Sequence, residues 1–71
     1  MLFRIKVVKC LDIVVEGNDL GSIVREYREL IGMCNESSQI YVHVLERKDN
    51  ELVDKGLMYR GNVREALRGS I

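Results

Sequence analysis

The stretch LFRIKVVKCLDIVVE, residues 2–16, constrains the fold more than any other part of the chain. Phe3, Ile5, Val7, Leu11, Ile13 and Val15 hold odd positions, and Arg4, Lys6, Asp12 and Glu16 hold even ones. Alternation with a period of two is the pattern of a strand with one buried face. At a strand's rise this run would reach about 50 Å, too far for one straight element in a chain of 71 residues. It must therefore bend or turn, and Lys9 interrupts the apolar odd series near its middle. A turn there would lack the glycine, asparagine or aspartate of common hairpins, apart from Asp12. A strand bent or bulged near Lys9 and Cys10 is the preferred expectation, with a hairpin as the alternative.

The segment EGNDLGS, residues 16–22, punctuates the chain, and Asn18 or Asp19 is the expected helix N-cap. Leu20, Ile23, Val24, Tyr27, Leu30 and Ile31 recur at three-four spacing, which predicts an amphipathic helix over 19–31 with Gly32 just past its end. Residues 39–47 and 52–60 then pair as a hairpin around a two-residue turn at Asp49-Asn50. In that register Leu45 faces Asp54 and His43 faces Gly56. One face would carry Ile40, Val42 and Val44 with Val53, Leu57 and Tyr59. The other would carry Tyr41, His43, Leu45 and Arg47 with Leu52, Asp54, Gly56 and Met58. Gly56 inside a strand also signals a bulge or a second turn. Asn62 with Glu65 makes a capping box for a last short helix that Gly69 stops. The expected fold is α+β: a small antiparallel sheet of three or four strands with the main helix on one face, in the order β-α-β-β-α or β-β-α-β-β-α. A single domain over residues 1–71 is expected.

Hydrophobic residues at 46% beside 31% charged ones describe an ordinary folded protein, and proline is absent. No window approaches the roughly 20 apolar residues of a membrane span. The interleaved Arg4, Lys6 and Lys9 read as strand and not as a leader peptide, so a cytoplasmic protein without membrane association is expected. Cys10 and Cys34 match no metal-ligand spacing, and in a reducing compartment they would be buried free thiols. Charge is zero in sum but segregated: plus three over residues 1–9, minus six over 10–54 and plus three over 55–71. Such a dipolar surface favours one oriented partner over a generic polyanion.

His43 is the sole histidine. Beside Asp54 it could orient as a general base, the basis of a weaker reading as a small hydrolase or nuclease. No activated serine or cysteine accompanies it, and a flat sheet face excludes water poorly. A zinc site would need Cys10, Cys34 and His43 from three distant segments, and the turn at Glu16–Ser22 carries acid where a phosphate would sit. No metal, no cofactor and no catalytic residue is therefore assigned. Arg60, Arg64 and Arg68 recur every four residues and would line the last helix, which supports an alternative reading as a nucleic-acid-binding regulator. The leading reading is a small non-catalytic protein-binding module. It would act as an adaptor, inhibitor or regulator in the manner of small phage accessory factors, and as a homodimer. Its partner would be another protein bound through Tyr41, His43, Leu45, Leu52 and Met58, with unsatisfied strand edges assisting.

Overall fold

A computed structural model describes residues 1–69 as four antiparallel strands and three short helices. The elements are β1 (Leu2–Val7), β2 (Leu11–Glu16), α1 (Leu20–Glu26), α2 (Arg28–Gly32), β3 (Gln39–Lys48), β4 (Glu51–Asn62) and α3 (Val63–Leu67). The sheet order is β2-β1-β3-β4, so β1 and β3 are central and β2 and β4 are edges. The α+β class and the helices' association with one sheet face follow the sequence expectation.

The first run is a hairpin, not a bent strand. Leu2 faces Glu16 and Val7 faces Leu11, with Val8, Lys9 and Cys10 as the connection. The Cys10 amide donates to the Val7 carbonyl at 3.0 Å, and Lys9 takes a positive φ of 58°. A lysine in a turn position that favours glycine or asparagine carries no sequence signal, which is why alternation alone pointed to the bend. Folding back halves the length and keeps the odd residues of both strands on one face. Phe3, Ile5 and Val7 stand opposite Val15, Ile13 and Leu11 on one side. On the other side they stand opposite Val44, Val42 and Ile40.

That face is the floor of the core. Phe3, Ile5, Ile23, Ile31, Ile40, Val42, Val63 and Ala66 have no exposed surface. Strand and helix residues together form one cluster, so all three helices lie on this side of the sheet. Asp19 caps α1 as expected, its carboxylate accepting from the Ser22 amide at 2.8 Å. The expected single helix is kinked: Tyr27 leaves the helical region at ψ 20° and separates α1 from α2. The Tyr27 amide still donates to Ile23 and the Ile31 amide to Tyr27, both at 3.0 Å, so the main-chain bonding bridges the kink. Gly32 ends inside α2, and Met33 is the cap. Gly17 is required where it stands, because a Cβ there would lie 2.3 Å from the Ile23 Cγ2. At the other end Asn62 accepts from the Glu65 amide at 2.8 Å, and Gly69 leaves α3 with φ 78°.

The two cysteines are bonded to each other rather than free. Cys10 in the first turn and Cys34 after α2 form a disulfide with a Cα–Cα distance of 5.9 Å, ordinary for such a bond. The hairpin brings Cys10 back over the helix layer, and a straight or bent strand would not. A reducing compartment was the premise of the free-thiol expectation, and the bond removes that premise. Among the described residues no helix is long and apolar enough to cross a membrane.

Candidate functional site

The face of the sheet away from the helices is bare. Its residues form a grid fixed by strand register, with Val14, Arg4, His43 and Leu57 in one row across the four strands. On one side of this row lie Glu16, Leu2, Leu45 and Asp54, and on the other Asp12, Lys6, Tyr41 and Arg60. Antiparallel sheets commonly leave one face to solvent, but that face is then polar. Here Leu57 is 51% exposed, Leu52 48% and Val14 47%.

The turn at Asp49-Asn50 forms as expected, both residues at positive φ (51° and 67°) as a two-residue primed turn requires. Leu45 faces Asp54 as expected. Beyond it the ladder slips twice, between Val44 and Leu45 and between Val42 and His43. Lys55 and Met58 are the extra residues on β4, so Gly56 faces Val44 and Leu57 faces His43. The expected pairing of His43 with Gly56 is therefore incorrect. Leu57 belongs to the bare face with His43, and Met58 sits at a bulge, 46% exposed. Gly56 at φ 128° marks the first bulge, a conformation that L side chains rarely adopt. Of the five residues assigned to partner binding, Tyr41, His43, Leu45 and Leu52 share this face. Leu45 is only 8% exposed, filling space between Leu2 and Asp54 instead of projecting.

The polar groups at the centre are already hydrogen-bonded to one another. Arg4 donates from Nε and Nη2 to the two Asp12 oxygens, each at 2.8 Å, a bidentate fork across the first hairpin. His43 Nδ1 lies 3.0 Å from Asp54 Oδ2, the diagonal approach that the sequence register implied. Asp54 also accepts the Gly56 amide at 2.8 Å, so the bulge itself aims the carboxylate at the ring. Tyr41 donates its hydroxyl to the Gln39 side-chain carbonyl. His43 and Asp54 thus form an oriented pair, with Arg4 as the neighbour of His43 on the adjacent strand. No serine or cysteine stands in this grid, and both cysteine sulfurs are spent in the disulfide. Among the described residues no group of three histidines, cysteines or carboxylates could hold a metal ion.

The three arginines of the nucleic-acid alternative do not form one ridge. Arg60 lies on β4 opposite Tyr41, because α3 spans only Val63–Leu67. Arg64 donates to Glu36 at 2.7 Å, tying α3 to the loop before β3. Arg68 caps the far end of the helix.

Four exposed carboxylates are held below the usual carboxylate range. The Arg4 hydrogen bonds lower Asp12, the Ser22 amide lowers Asp19 and the Arg64 guanidinium lowers Glu36. The Gly56 amide, and then His43, lower Asp54. A folded-state value below the unfolded one means that the unfolded chain binds more protons. These contacts therefore stabilise the fold above about pH 4 and are lost as pH falls through the folded values. The melting temperature should stay level from neutral pH to about 5 and decline below about 4, read by circular dichroism across a buffer series. A melt unchanged down to about pH 2 would contradict these assignments.

Comparison with known proteins finds no match, whether to a family model, to a curated protein or to a solved structure.

Proposed function

We propose that the protein is a non-catalytic protein-binding module whose contact surface is the bare sheet face, with a second copy of the chain as its first partner. One observation carries the reading: large apolar side chains stand exposed around a centre whose polar groups are already hydrogen-bonded to one another. Leu57, Leu52 and Val14 supply apolar surface, and Tyr41 and His43 add half-buried rings that cost little entropy to fix. Covering an unpaired charge is expensive, whereas Arg4 with Asp12 enters a contact already compensated and Asp54 enters it hydrogen-bonded by the Gly56 amide and the His43 ring. Lys6, Glu16, Arg47 and Arg60 form a polar rim.

Packing of the face is favoured over addition of a strand to β4. The bulges at Lys55 and Met58 bend that edge and break the straight ladder that a partner strand would need. A standard interface takes about 800 Å² from each partner, roughly a sixth of the 4846 Å² of accessible surface, and one sheet face can supply it.

Sedimentation equilibrium tests the reading. The native chain should show twice its 8.2 kDa mass at micromolar concentration. Leu57→Asp and Tyr41→Asp should weaken association at least about tenfold by burying an unpaired carboxylate, with the melt of the monomer unchanged. Met33→Asp, on the helix side and 82% exposed, should leave it intact. A monomer at every concentration, or equal loss from Met33→Asp, would sink the proposal.

A further inference from the structure

On the opposite side of the molecule a cleft of about 190 Å³ opens between α1, the start of α2 and the end of α3. Its floor is Val24, Ala66 and Leu67, and its walls carry Arg25, Arg28 and Arg68. No acidic side chain among the described residues lines it, although Asp19 attracts Arg25 and Glu36 attracts Arg68 from outside the cleft. Among the described residues none of these three arginines is in an ion pair, whereas Arg4 and Arg64 each have a carboxylate at 2.8 and 2.7 Å. Arg28 donates to the Leu67 carbonyl, which fixes its guanidinium at the mouth of the cleft with donors to spare. Arg25 makes a long contact, 3.5 Å to the Ser22 hydroxyl, and is attracted by the Asp19 carboxylate without an ion pair to it.

Three like charges around one concavity repel one another, and a bound anion relieves that repulsion. We propose that this cleft binds the phosphate group of a small molecule. A phosphate carries close to two charges at neutral pH and three acceptor oxygens, enough for three guanidinium groups. A carboxylate offers one charge and two oxygens. The apolar floor suits a ligand with a short hydrocarbon or ring portion beside its phosphate. This site is separate from the sheet face and stands or falls independently of the proposed function.

The test uses the intact, disulfide-bonded chain titrated with phenyl phosphate, inorganic phosphate and benzoate, followed by the arginine Nε–H resonances in NMR. Phenyl phosphate should bind saturably at one site, shift the Arg25, Arg28 and Arg68 signals, and exceed both inorganic phosphate and benzoate in affinity. Phosphate matching phenyl phosphate would leave the oxyanion site and remove the apolar contribution. Arg25→Gln and Arg68→Gln should each cost about tenfold in affinity, the scale of a lost charged hydrogen bond. Lys48→Gln, on the distant hairpin, should change nothing. Shifts that never saturate, or an equal loss from Lys48→Gln, would mean general attraction to cations and overturn the site.

Discussion

Reducing the Cys10–Cys34 bond should cost the fold a third or more of its stability. The bond closes a loop with a sequence separation of 24, and the chain-entropy relation for a loop of that size gives about 3.5 kcal/mol. A domain of this length has only about 4–10 kcal/mol in total, so the reduced protein should be marginal. The melting temperature should fall by roughly 15–25 °C in dithiothreitol, taking about 4–8 °C per kcal/mol for a domain of this size. Cys34→Ala should reproduce the fall, and reductant should have no further effect on that variant. The native chain should show no thiol to a thiol reagent until it is reduced. Two thiols titrating in the native state would contradict the pairing. A melt indifferent to reductant in a chain without free thiols would show that the unfolded loop gains little freedom on release.

Phe3→Ala should be the most damaging single substitution in the sheet. Phe3 is the largest side chain with no exposed surface, and it stands on central strand β1 between Val15 and Val44. Removing a buried phenyl ring forfeits its transfer free energy and leaves a cavity, together about 3–5 kcal/mol. Urea denaturation should place this variant near the limit of folding. Val14→Ala, 47% exposed on the same hairpin, should move stability by no more than about 0.5 kcal/mol in the monomer. A loss below about 1 kcal/mol at Phe3 would mean that the core is not organised around β1.

Much of this architecture was legible because local chemistry and burial agree. Odd residues of the two strands, Phe3 to Val7 and Leu11 to Val15, are apolar because one face of β1 and β2 lies under the helices, and the fold-back preserves that parity. Asp19 and Asn62 accept from amides three residues on, and Asp49-Asn50 tolerate the left-handed backbone of a tight turn. The parts that were not legible depend on chain geometry, which residue type does not encode. Lys9 adopts a turn conformation for which lysine has no preference, so the hairpin was indistinguishable from a bend. The disulfide becomes possible only once that hairpin exists, since it joins a turn to the end of α2.

The candidate face shows the same division. Its membership was legible up to Leu45 and Asp54, where alternation counts correctly from the Asp49-Asn50 turn. Each bulge on β4 adds one residue and reverses parity, so Leu57 moved to the bare face. Gly56 announced a bulge, but nothing in the sequence announced the second one at Met58. The contact of His43 with Asp54 survived the slip because both residues remain one diagonal apart on the same face. The arginine periodicity over 60–68 spans a strand, a cap and a five-residue helix, and so had no single face to lie on.

The central claim is that the bare sheet face is where this protein meets its partner, and a dilution series followed by amide NMR tests it most directly. On dilution from millimolar to low micromolar, shifts should change for Arg4, Val14, Tyr41, His43 and Leu57. Amides of α1, α2 and α3 should stay still. Changes confined to the helices, or none on the sheet face while the mass remains that of a dimer, would assign the contact elsewhere and contradict the account.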